Sequence, residues 1–177
     1  YGTSRGLLGL IERTLQPAVT ATVPINFSYA PSYLPESPAA LRDSRSAVQF
    51  LKTWPAAHAL LEARDIVINL EGTIHGTSEV ARRLLYIAFL SSRFLGKRVY
   101  LVNGSLFPPP DNSDGLDLYR LACASAHHLA VRESHSARLA RDLLGREARL
   151  AFDCLPLSLA EANLKPKADA RPYAIVT

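Results

Sequence analysis

The 177 residues, 48% hydrophobic and 20% charged, fit one globular domain with a core of ordinary size. A net charge of +4 and a pI of about 9.3 favour anionic ligands, but the basic residues are dispersed along the chain and read as a solvated surface. No run reaches the length of a membrane span, and aromatic residues do not interleave with basic ones, so neither a membrane-spanning protein nor a nucleic-acid platform is expected.

The apolar "GLLGLI" near the start is cut off by Glu12 and Arg13 with no small-residue cleavage site, so a cytoplasmic location is the expectation. Methionine is absent, position 1 included, and a chain opening "YGTSRG" is expected to be processed or truncated. Cys123 and Cys154 sit in apolar contexts and read as buried thiols of a reducing compartment.

In chain order, residues 4–16 have the spacing of an amphipathic helix, and "AVTATVPINFS" at 18–28 reads as a strand with Pro24 at an edge or bulge. Residues 29–45, rich in Pro and Ser, read as a surface loop. Residues 46–63 read as a helix interrupted near Pro55. From residue 65 onward one grammar repeats: a short apolar run, a polar or glycine-containing break, then an amphipathic stretch. The predicted strands are "DIVIN" at 65–69, "RVYLV" at 98–102, "HLAV" at 128–131 and "RLAF" at 149–152. Helices are predicted from a Thr77/Ser78 start to Gly96, over about 114–126, and over 134–144 with a stop at Gly145. Such alternation implies βαβ units: an α/β fold with an open, mostly parallel sheet flanked by helices on both faces. "EANLKPKADARP" reads as a linker and "YAIVT" as the opening of another strand, which divides the chain into a domain over 1–160 and a tail over 161–177.

Open parallel sheets bind ligands outside the carboxyl ends of their strands. The first strand delivers Asn69, Glu71, Gly72, Thr73 and His75 to that edge. The second delivers Asn103, Gly104 and Ser105, the third Arg132, Glu133 and Ser134, and the fourth Asp153. Each such residue can also cap a helix, but four strands in succession ending this way point to a functional crevice. Phosphate-cradling glycine motifs and a nucleophile elbow are absent from the sequence. Cys123, His127 and His128 straddle a predicted helix-to-strand turn without a second ligand pair, so no metal site is expected.

"DIVINLEGTIHG", "GKRVYLVNGSLFPP" and "HLAVRESHSARLARDLLG" together resemble the polysaccharide pyruvyl transferase family, in order and with compatible spacing over about residues 65–153. Leu70 stands where a glycine is common in that family. The resemblance implies a Rossmann-like N-terminal half of a GT-B-type architecture, in which two such domains face each other across a cleft. It also implies transfer of a pyruvate ketal from phosphoenolpyruvate to a sugar or lipid-linked oligosaccharide of a cell-surface polysaccharide. No cofactor beyond this donor substrate is implied, and contact with membrane-linked acceptors would be peripheral. The cationic cluster for the donor is expected largely in the second domain, so the 177 residues alone are not expected to turn over substrate.

Ketal formation requires proton movement and cations for phosphate and carboxylate. Glu71 suits hydroxyl activation or sugar orientation, with His75 assisting, while Gly72, Thr73, Asn103, Ser105, Arg132, Glu133 and Ser134 are candidate substrate contacts. Arg132 can clamp an anion bidentately or pair with Glu133 or Asp153, and Ser134 is expected to cap the following helix. The acceptor domain of a nucleotide-sugar glycosyltransferase, or a non-catalytic carbohydrate-binding module, would use the same half-fold.

Overall fold

The computed structural model describes residues 30–70, 74–109 and 114–151. The predicted helix at 4–16, the strand at 18–28, the linker, the terminal strand and Asp153 lie outside these residues, as do Glu71, Gly72, Thr73 and Cys154.

Among the described residues three short helices come first: α1 (Pro38–Arg42), α2 (Ser44–Lys52) and α3 (Ala57–Glu62). The expectation of a loop over 29–45 is corrected here, because its loop-like residues serve as helix signals. Ser37 accepts a hydrogen bond from the Ala40 amide, Pro38 occupies the first turn, and Asp43 ends α1 while capping α2 through the Arg45 amide. The predicted interruption near Pro55 falls in the gap between α2 and α3.

The remaining described residues alternate β1 (Asp65–Asn69), α4 (Glu79–Arg93), β2 (Arg98–Gly104), α5 (Asp114–Ser125), β3 (His128–Val131), α6 (Ser134–Leu144) and β4 (Arg149–Leu150). The four strands form one sheet in the order β1-β2-β3-β4, every pair parallel, as the alternation predicts. Ser78 caps α4, and Gly96 and Gly145 carry the positive φ of helix stops.

The register between β2 and β3 slips by one. Leu101 faces Leu129 but Gly104 faces Val131, so β2 holds one extra residue there. Asn103 sits within this bulge at φ 59°, a left-handed conformation that asparagine tolerates better than most residues.

Every crossover steps the same way along the sheet, and right-handed crossovers stepping one way place their helices on one face. Accordingly α4 packs on α5, and α5 on α6. Ile66, Ile68, Val99, Leu101, Leu129 and Val131 are buried, and Tyr86 of α4 meets Phe50 of α2 edge-on at 5.0 Å. The sheet is flanked by helices; Val67, between the buried Ile66 and Ile68, is 48% exposed.

Candidate functional site

The parallel order brings the ends of β1, β2 and β3 to one edge, and hydrogen bonds tie those ends together. Asn103 donates through Nδ2 to Asn69 Oδ1 at 3.0 Å, joining β2 to β1. Arg132 joins β3 to β2 twice. Its amide donates to the Gly104 carbonyl at 3.0 Å and its Nε to Ser105 Oγ at 2.9 Å. The half-buried guanidinium is therefore aimed along this edge by its own backbone and by Ser105.

The helix after β3 begins differently from the expectation. Glu133, not Ser134, is the cap of α6. Its backbone is extended, its Oε2 accepts from the Ser136 amide at 3.0 Å, and its Oε1 accepts from the Ser136 hydroxyl. Ser134 is already the first helical residue and lies exposed. The carboxylate wins the role because it is an acceptor-only group at the positive end of the helix. Partial burial pushes the Glu133 pKa up. Hydrogen bonds from the Ser136 hydroxyl and from the Ser136 and His135 amides, with the nearby His135, outweigh that and hold it below 4.5. Both carboxylate oxygens are engaged within the helix's first turn, which makes Glu133 a positioning residue.

Ser136, fully buried, passes this order on. While its hydroxyl donates to Glu133, its Oγ accepts the Leu106 amide at 2.6 Å. The loop after β2 is thereby fixed from α6. It is also fixed from the loop after β1. The Gly76 amide donates to the Phe107 carbonyl at 2.7 Å and the Phe107 amide to the Ile74 carbonyl at 3.3 Å. Buried Tyr119 of α5 sets its hydroxyl 2.9 Å from the Gly76 carbonyl and 3.3 Å from that of Phe107. On this clamp the exposed His75 ring lies nearly parallel to that of Phe107, with centroids 5.1 Å apart and planes 17° apart.

Of the predicted site residues, Asn103, Ser105 and Arg132 therefore share one bonded edge, with His75 on the adjoining loop. Leu70 and Ile74, on either side of Glu71-Gly72-Thr73, are both buried. Sequence reasoning missed Tyr119, Ser136 and Phe107. The first two sit inside helices, where they pass for ordinary helix residues, and Phe107 passes for a core aromatic.

Nearby, a cleft of about 430 Å³ opens between the first turns of α4 and α5 and the segment before α1, lined in part by Pro35, Glu36, Thr77, Arg82 and Gly115. Arg82 donates to the Pro35 carbonyl at 3.2 Å, holding that segment against α4. Among the described residues, no three His, Cys, Asp or Glu side chains gather as a metal centre would need, and no helix is long and apolar enough to cross a membrane. Comparison with known protein families finds no match for this chain, and comparisons with curated proteins and with solved structures find none either.

Proposed function

We propose that this chain is the Rossmann-like N-terminal half of a polysaccharide pyruvyl transferase, forming the acceptor-side wall of a GT-B-type cleft. The observation that carries the reading is the bonded edge itself. Asn69, Asn103, Ser105 and Arg132, which come from three separate motifs of the family resemblance, are joined by direct hydrogen bonds at the carboxyl ends of a parallel sheet.

In the reaction, phosphoenolpyruvate and a sugar diol give a cyclic ketal and inorganic phosphate. One hydroxyl oxygen adds to the carbon bearing phosphate while its proton is delivered to the methylene carbon, which becomes a methyl group. The second hydroxyl then displaces phosphate, which carries away the second proton. Glu71 accepts a hydroxyl proton, and Arg132 faces the anionic carboxylate or phosphate. The acceptor is a sugar or lipid-linked oligosaccharide, and the remaining cations come from the opposing domain.

The test is phosphate release from phosphoenolpyruvate with a galactose- or mannose-type acceptor, using the full-length protein. Release that is lost in Glu71→Gln while folding is retained supports the proposal. Turnover of a nucleotide sugar, or sugar binding without any turnover, overturns it in favour of a glycosyltransferase or a binding module.

A further inference from the structure

Phe107 is 46% exposed, although it follows a fully buried leucine and lies in a loop whose backbone is held by four hydrogen-bonding groups. An aromatic ring left in solvent on a mobile loop would need no explanation. This one is on a braced loop. The Leu106 amide is fixed by Ser136, the Phe107 amide by Ile74, and the Phe107 carbonyl by Gly76 and Tyr119. One face of the ring is backed by the His75 imidazole in near-parallel stacking. Ser105, two residues away, is bonded to Arg132 at the polar edge described above.

A rigid apolar disc beside hydrogen-bonding side chains matches a ligand with one apolar face and a polar rim. A pyranose is such a ligand. Its axial C–H groups present a hydrophobic face to an arene, and its hydroxyls radiate in the ring plane toward amides, hydroxyls and guanidinium groups. We infer that Phe107, backed by His75, is the platform on which the apolar face of the acceptor sugar ring lies. This assignment rests on the proposed carbohydrate-directed function of the same edge. The backing ring matters because it fixes the plane of Phe107 before the ligand arrives, which reduces the ordering cost of binding. A nucleobase would also stack on an arene, and this alternative is an arm of the test.

The experiment is a ligand-observed NMR titration of the chain with methyl β-galactopyranoside and methyl α-mannopyranoside, and separately with adenosine. The platform requires saturation transfer concentrated on C–H protons of one sugar face. It further requires Phe107→Ala to weaken binding roughly tenfold, Phe107→Trp to keep it within about threefold, and His75→Ala to fall between them. Because Phe107 is half-exposed, Phe107→Ala is expected to fold, which circular dichroism checks. Equal sugar affinity in wild type and Phe107→Ala overturns the assignment, as does absence of sugar binding in the wild type. Phe107-dependent binding of adenosine in place of the sugars also overturns it. The outcome is separable from the ketal-transfer reading. Phe107-dependent sugar binding without phosphate release leaves the platform standing and removes the reaction, while phosphate release indifferent to Phe107 does the reverse.

Discussion

Leu70 and Gly104 are in such close contact that a methyl group on Gly104 would lie 2.8 Å from Leu70 Cβ and 2.9 Å from its Cδ1. Leu70 is fully buried at the end of β1, and its amide donates to the Val102 carbonyl at 3.0 Å, so its Cβ cannot retreat without moving the strand. The leucine at 70 thus demands the glycine at 104.

Gly104→Ala is therefore expected to destabilise the fold by roughly 1 to 3 kcal/mol, as overpacking of a closed core does. Leu70→Gly removes the clashing atoms at the cost of a cavity and backbone freedom. The double variant should be more stable than the sum of the two single losses predicts, by at least about 1 kcal/mol in a chemical-denaturation cycle. Strict additivity would show that the two positions are not in contact.

Tyr119→Phe removes the hydroxyl that binds the carbonyls of Gly76 and Phe107 while preserving the ring. A loss of about 1 kcal/mol in global stability is expected. The sharper readout is hydrogen exchange. The Gly76 and Phe107 amides should exchange faster in the variant, whereas amides in the middle of α4 should change only in step with global stability.

Acid stability should depend on Glu133. Its folded-state pKa is depressed below the ordinary 4.5, so its contribution is fully present above that pH and is lost as pH falls through the folded value. Glu133→Gln keeps an acceptor but loses the charge at the helix start. Near neutral pH the variant should be less stable by about 1 kcal/mol, with the gap narrowing as pH falls below 4.5. Urea midpoints measured from pH 3 to pH 7 would reveal a constant gap if the charge plays no part.

Cys123 is fully buried and unpaired to another cysteine, and burial pushes its thiol pKa up to about 12. In a Cys154→Ser background it should resist iodoacetamide at pH 8 until denaturant is added, because both the thiolate and access are missing. Rapid labelling of the native protein would contradict this packing.

The strands and helices from residue 65 onward were legible because each rests on a local signal: apolar runs of strand length, Ser78 as a cap, Gly96 and Gly145 as stops. Ser37, Pro38 and Asp43 read as a loop in the sequence, since the same side chains that favour turns also start helices, and only position relative to neighbouring amides distinguishes them. Ser134 and Glu133 reversed roles for a related reason. A one-residue shift in where the helix begins exchanges cap and first turn. The edge positions of Asn103, Ser105 and Arg132 followed from parallel topology, but Tyr119 and Ser136 act across sequence separations of 43 and 30 residues, which no local pattern encodes.

The extra residue in β2 also decides which side chains the following loop buries. Before the bulge the odd-numbered residues Val99 and Leu101 are buried; after it the even-numbered Leu106 is buried and Phe107 faces out. Asn103 is thus a phase inverter for the strand: its left-handed turn swaps inside for outside downstream. A β-branched residue at 103, which resists that conformation, would penalise the inversion, and in-phase continuation would turn the ring of Phe107 toward the core and the leucine toward water. The surface chemistry of the sheet edge is in this sense written one turn upstream, in the backbone of a single asparagine.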